Sequence, residues 1–144
     1  TIAIRHRNHL GLSADPSTNL YAAAEAKGTA PTMDFSTATD AQLFGTTAAY
    51  TTGGGKNLLW GGNANSNTTV RYIGLANDKD YLLLTAPNNG LGNVANANLT
   101  NVYSPSDVNM NRRVRYIGLA NDKDYLFNVL GGVASALKTQ SLPN

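Results

Sequence analysis

Asp107, Asn109 and Asn111 alternate along the chain, and two further carboxylates, Asp122 and Asp124, follow downstream. Oxygen side chains at positions 1, 3 and 5 of a bend, a backbone carbonyl at position 7 and a late carboxylate are how a chain wraps a hard cation such as calcium. Counted from Asp107, position 7 is Arg113, acting through its carbonyl, and position 12 is Gly118, which has no side-chain oxygen. If Tyr116–Asn121 is an insertion, Asp124 takes the closing position. Asp124 also stands where a helix N-cap is wanted, ahead of Tyr125–Leu130. The pattern occurs once before, as Asn63, Asn65, Asn67 and Thr69 followed by Asp78 and Asp80.

The two stretches share more than spacing. Val70–Leu82 recurs without a change as Val114–Leu126. Each copy reads as a strand-like bend followed by a carboxylate pair opening an apolar helix. Loop-helix unit one spans about 61–86 and unit two about 104–131, with an Asn-rich connection between them. Two units that cannot each bury a face alone are expected to pack as a pseudo-symmetric pair.

The first 60 residues read as β-rich. Thr1–Arg7 alternates, with Ile2 and Ile4 on one face, and predicts a strand whose hairpin partner lies upstream of the chain. The start at Thr1 suggests a processed or excised piece of a longer protein. Leu20–Gly28 has helix propensity but is short enough to be a strand and turn. Residues 31–38 predict a strand around Met33 and Phe35, and Thr39–Gly45 an Asp-capped turn of helix. Ala48–Thr52 and Asn57–Trp60 predict short strands around Gly53-Gly54-Gly55. The tail, 132–144, is expected to return as a final strand. No linker divides the chain, so the expectation is one domain over 1–144, mainly β (α+β), with a sheet or sandwich in the N-terminal half.

The string Asp107-Val108-Asn109-Met110-Asn111 resembles the start of a dockerin calcium loop. From Asp107 through Val114-Arg115-Tyr116, Asn121-Asp122 and Asp124 to Gly131-Gly132, the sequence is similar to the paired C-terminal repeats of long secreted surface proteins of Bacteroidota. Arg5-His6-Arg7-Asn8-His9-Leu10, Leu59–Asn65 and the ending Gln140–Pro143 carry the same resemblance, which covers nearly all of the chain. It implies an extracellular, sheet-containing module with two dockerin-like calcium loops, preceded by further sequence.

The chain departs from that pattern. Such loops place Asp at position 5 and Gly at position 6, where Gly permits the sharp turn. Here these are Asn111 and Arg112, and Asn67 and Thr68. Unit one has no carboxylate among its first three ligand positions. Alternating Asn is equally the chemistry of tight turns, because Asn tolerates left-handed backbone and caps itself. Two readings therefore stand. Either the loops hold calcium, or they are degenerate and amide hydrogen bonds hold what an ion would.

Composition narrows the function classes. Only 14% of residues are charged, against about 25% in typical domains. The formal charge of +2, with scattered basic residues, argues against nucleic acid. There is no cysteine, which excludes disulfides and thiolate chemistry. No apolar run approaches the ~20 residues of a membrane span. Gly53-Gly54-Gly55-Lys56 is followed by Asn57, not Ser or Thr, so it is a turn and not a phosphate loop. His6 and His9 invite a metal reading, but no third ligand is apparent, and a hydrogen-bonded pair is favoured. Trp60 and the tyrosines could form a sugar platform; Tyr72, Tyr81, Tyr116 and Tyr125 recur with the repeat and read better as packing. The sequons at Asn67 and Asn98 carry little weight beside a bacterial resemblance.

No nucleophile–base arrangement declares itself, and an enzyme is not expected. The expectation is a structural or assembly module of a bacterial cell-surface protein, self-assembling into a fibre or layer. Its partners would be copies of itself, or an upstream segment adding a strand to the open first edge. The competing expectation is an adhesion module for a glycan or surface protein.

Overall fold

The computed structural model describes residues 2–18, 28, 32–45, 48–51, 54–84 and 91–143. They form short strands paired two by two, with two helices. The chain divides into two compact units, Thr1–Arg5 with Gly11–Leu59 and Gln140–Asn144, and His6–Leu10 with Trp60–Thr139.

In the first unit, β1 (Ala3–Ile4) pairs antiparallel with β2 (Leu12–Ser13), Ala3 opposite Ser13 and Ile4 opposite Leu12. The first strand therefore has its partner downstream, not upstream as its position suggested. β3 (Tyr50–Thr51) and β4 (Asn57–Leu58) form a second hairpin. Leu12, Leu43 and Ala48 make a small core, covered by Met33, Phe35, Ala38, Ala49 and Leu59. Of the strand expected over 31–38, the described residues 32–38 form no strand and hold a turn at 35–37. Asp34 Oδ1 accepts the Ser36 N–H at 2.9 Å and its Oγ at 2.7 Å, so local Asx chemistry overrides the alternation of Met33 and Phe35. The expected helical turn is a 3-10 turn, Asp40–Gln42, capped by Thr39 and not by Asp40. The segment read as helix or strand, Leu20–Gly28, lies outside the described residues except for Gly28.

The second unit holds both repeats. β5 (Thr69–Arg71) precedes α1 (Asp78–Leu84), and β6 (Asn98–Thr100) follows it. β7 (Arg113–Arg115), α2 (Asp122–Val129) and β8 (Leu137–Thr139) repeat the order. In each opening strand the central valine, Val70 or Val114, is fully buried. In each helix one leucine, Leu82 or Leu126, is fully buried. With Leu10, Trp60, Ala64, Val108 and Leu130, the residues Val70, Leu82 and Leu126 form the main core.

The repeat extends beyond the identical string. Leu91 N–H bonds Leu82 O, and Leu130 N–H bonds Leu126 O. Asn93 N–H bonds Leu83 O, and Gly132 N–H bonds Phe127 O. The turns Leu91–Ala97 and Leu130–Ala136 are thus structural equivalents, ending in β6 and β8. Repeat one is longer only across 85–90, outside the described residues.

Strand pairing joins the repeats reciprocally. β5 pairs with β8, and β6 pairs with β7, both antiparallel. The closing strand of each repeat completes the opening strand of the other. Tyr72 meets Phe127 with ring centroids 5.0 Å apart, adding an aromatic contact between the repeats.

Candidate functional site

Each bend is closed by the first of its late carboxylates. Asp122 Oδ1 accepts N–H groups from Val108 at 2.9 Å and Asn109 at 3.4 Å, and its Oδ2 accepts from Arg115 at 2.8 Å. Asp78 does the same in repeat one, accepting from Asn65 at 3.3 Å and Arg71 at 2.9 Å. Both carboxylates are fully buried. Burial pushes the Asp78 carboxyl up to about 6 and Asp122 up to about 7, against the opposing pull of these N–H bonds; Asp107 also raises Asp122.

Asp80 and Asp124, the second of each pair, stay at the surface side. Asp80 Oδ2 accepts from Asn77 Nδ2 at 2.7 Å, and this bond holds its carboxyl below the usual range. Asp124 is held low by Lys123 and then by Asn121, whose Nδ2 it accepts at 2.7 Å. The N-caps are Asn77 and Asn121, each accepting an N–H from the residue three later at 2.8 Å. The cap expected at Asp124 is therefore at Asn121, and the loop-closing role falls to Asp122.

The alternating asparagines act as amides in both senses. Asn109 Oδ1 accepts the Asn111 N–H at 3.1 Å, and Asn111 Oδ1 accepts the Arg113 N–H at 3.0 Å. Their Nδ2 groups both donate to Ala120 O, at 3.0 and 3.4 Å. In repeat one, Asn65 and Asn67 accept from the Asn67 and Thr69 N–H groups, and donate to Ala76 O at 2.7 and 3.4 Å. Ala76 and Ala120 are left-handed, at φ 54 and 53. Thr69 and Arg113 lie in β5 and β7, opposite Thr139 and Thr100. Arg112 takes the left-handed turn at φ 67, in place of the absent glycine.

The first position separates the repeats. Asp107, fully buried, accepts N–H groups from Asn111 and Arg112, both at 2.9 Å. Asn63 instead donates through Nδ2 to Asn67 O at 2.7 Å, and its buried Oδ1 has no partner. In repeat one the Asn65 and Asn67 amides are committed to backbone groups, Asp78 is the one buried carboxylate, and Asn63 Oδ1 alone is left without a partner. Repeat two keeps two buried carboxylates, Asp107 and Asp122.

The residues that tie this arrangement together come from His6–Leu10. The Arg7 guanidinium stands 3.6 Å from Asp107 Oδ2, donates from Nε to Ser104 O at 3.2 Å, and lies 3.8 Å from the Tyr103 ring centroid. Asn8 is fully buried; its Nδ2 donates to Asp107 O at 2.6 Å, and its carbonyl accepts the Asn63 N–H at 3.0 Å. Leu10 N–H bonds Trp60 O. One short segment thus pins the mouths of both loops. The sequence marked it as the end of the alternating Thr1–Arg7 stretch and as the Arg5–Leu10 string that carries the resemblance, with nothing to show what it touches. His9 lies beside these groups, and burial, then His6 and Arg7, lower it to about 4. Lys138 Nζ sits 4.1 Å from the Trp60 ring centroid, and Trp60 is buried, so it offers no sugar platform.

Two features of the repeats stand at the surface among the described residues. The bend ahead of each helix carries an apolar tip, and Leu75 and Leu119 are each 89% exposed. Beside the first tip is a groove of about 550 Å³, lined among others by Leu75, Leu84, Tyr81, Asn65, Asn77 and Asp80. No family model, curated protein or solved structure matches the chain.

Proposed function

We propose that this chain is a non-catalytic structural module of an extracellular bacterial surface protein that assembles with copies of itself. The observation that carries this reading is the duplicated tip: the same leucine is left almost wholly exposed twice. Isolated exposed leucines are ordinary, but an identical pair on identical bends is a repeated contact element. The groove beside Leu75 supplies a receiver. Its apolar wall of Leu75, Leu84 and Tyr81 suits a leucine, and its Asn and Asp rim suits the polar backbone of a bend. Leu119 of one copy seated there on the next makes a head-to-tail contact, which continues into a filament unless the rotation closes a ring. The resemblance to secreted surface modules supports the same reading. An upstream strand of a parent protein would add at the outer edge of β1, which pairs only with β2 among the described residues.

The experiment is sedimentation with electron microscopy across a concentration series, for the wild type and Leu119→Ser. Fibres or oligomers lost in the variant support the reading. A wild type that stays monomeric at high concentration ends it. The polar rim of the groove, with Tyr81, favours a glycan-binding adhesion module as the second reading; glycan-array binding lost in Tyr81→Ala would select it.

For the loops, the chain's own hydrogen bonds occupy the side-chain oxygens of Asn65, Asn67, Asp78 and Asp80 in repeat one and leave only Asn63 Oδ1 without a partner. In repeat two the neighbouring buried Asp107 and Asp122 favour calcium as an alternative, because a cation would relieve their repulsion. Thermal melting with calcium and with chelator, for the wild type and Asp107→Ala, separates the two. A melting temperature indifferent to calcium leaves closure by amides alone.

A further inference from the structure

We infer that His6, Asn8 and His9 form a binding site for a divalent first-row transition ion, held by the two Nδ1 atoms and Asn8 Oδ1. The backbone brings them together through a turn: His9 N–H bonds His6 O at 3.3 Å. Residues three apart, which in a strand would diverge, thereby face the same side. The rings meet edge to face, with centroids 4.8 Å apart.

The three donor atoms form a nearly equilateral triangle. His6 Nδ1 to His9 Nδ1 is 2.9 Å, His6 Nδ1 to Asn8 Oδ1 is 3.0 Å, and His9 Nδ1 to Asn8 Oδ1 is 2.8 Å. Metal bonds of ~2.05 Å at right angles give edges of ~2.9 Å, whereas a tetrahedral site would open them to ~3.3 Å. The triangle is thus one face of an octahedron.

Hydrogen bonding alone does not satisfy these contacts. Two neutral imidazoles bring at most two Nδ1 protons to three short contacts. If both Nδ1 atoms are protonated toward Asn8, the two nitrogens clash with each other; if one is not, its lone pair faces an oxygen lone pair. A cation accepts all three lone pairs at once. The oxygen is committed to this role, because Asn8 is fully buried and its Nδ2 is fixed on Asp107 O at 2.6 Å. The amide cannot turn over without losing that bond. Asp107 thereby orients the ligand through the groups behind it, as supporting residues do in metal sites.

The opposing charge is Arg7, in the turn itself, and it is drawn off toward Asp107, Ser104 and Tyr103. His6 is exposed, so the site is reached by solvent from that side. Two imidazoles and an amide oxygen in a facial set suit Ni²⁺, Co²⁺ or Cu²⁺, with Cu²⁺ bound most tightly.

The chain has only two histidines, and both are here. Tag-free protein titrated with Ni²⁺ by calorimetry should bind one ion per chain. Loaded with Cu²⁺, its electron paramagnetic resonance spectrum should show superhyperfine coupling to two nitrogens. His6→Ala alters an exposed side chain and should leave the melting temperature of the metal-free protein unchanged, while weakening Ni²⁺ by at least ~10-fold. His9→Gln should do the same to Ni²⁺ and reduce the coupling to one nitrogen. Ni²⁺ affinity unchanged in His6→Ala, no binding at ~1 mM Ni²⁺, or a Cu²⁺ spectrum without two imidazole nitrogens overturns the site. Its failure leaves the assembly reading untouched, because none of these readouts depends on oligomers.

Discussion

Asp122 Oδ1 lies 2.9 Å from the backbone nitrogen of Val108, so the first residue of a helix holds the mouth of the bend that precedes it. Asp78 does the same for Asn65. Asp122→Asn keeps the size but puts an N–H₂ group among backbone donors. It should destabilise the protein by about 2–4 kcal/mol, as loss of acceptors for buried N–H groups does. Asp124→Asn, at an exposed carboxylate, should cost under about 1 kcal/mol. Urea unfolding of the two variants checks the contrast, and equal effects would contradict it.

The pH dependence follows from the same two carboxyls. Folding raises Asp78 to about 6 and Asp122 to about 7, while an unfolded aspartate titrates near ~3.9. The folded state therefore binds their protons more tightly than the unfolded state. That stabilisation is complete below pH ~4, declines as pH rises through about 6 and about 7, and is gone by pH ~8. His9, lowered to about 4 on folding, works in the opposite direction between about pH 4 and 6.5, so the protein should be more stable at pH 5 than at pH 8 by a net of about 1–3 kcal/mol. Denaturation curves across that range check it, and Asp78→Asn with Asp122→Asn should abolish the decline and leave the opposite slope set by His9.

Arg7 and Asp107 should be strongly coupled. Removing Arg7 leaves a buried carboxylate without its counter-charge and strips a donor from Ser104 O. Arg7→Ala should cost about 2–4 kcal/mol. Arg7→Lys should not restore it, since an ammonium cannot hold Asp107, Ser104 and the Tyr103 face together. A double-mutant cycle with Asp107→Asn reads the coupling, and a value near zero would contradict this account.

Gly62→Ala should be severe. Its φ is +97, and an added Cβ would stand 2.7 Å from Leu126 Cδ1 and 3.2 Å from Val70 Cγ1. Gly55, also left-handed, meets nothing within 4 Å. Alanine at Gly62 should cost at least about 2 kcal/mol, and at Gly55 only about 1 kcal/mol from backbone strain. Thermal melts of the two variants check the order.

The sequence made the duplicated half legible because it is local: the identical string carries strand, bend and helix in both copies. Other features were hidden for specific reasons. The likeness of Leu91–Thr100 to Leu130–Thr139 was masked by extra residues at 85–90 and by changes such as Asn98 to Leu137. Asp122 and Asp124 stand two apart, and numbering from an ideal loop favours Asp124; the choice of Asp122 comes from backbone amides that no side-chain pattern records. Arg7 and Asn8 act on Asp107 across the length of the chain, and nothing local to them announces that contact. The duplicated surface leucines were read as part of the string and not as exposed, since exposure depends on a bend that the positive-φ residues flanking them, Gly74 and Ala76, Gly118 and Ala120, create.

The crosswise pairing of β5 with β8 and β6 with β7 has a consequence for biosynthesis. Emerging from the ribosome, the first bend cannot acquire its β-neighbour until Thr139 has been made, so the whole second repeat is synthesised with that edge uncovered. Removing Leu137–Thr139 by proteolysis would unlatch the opposite repeat, not the one that was cut.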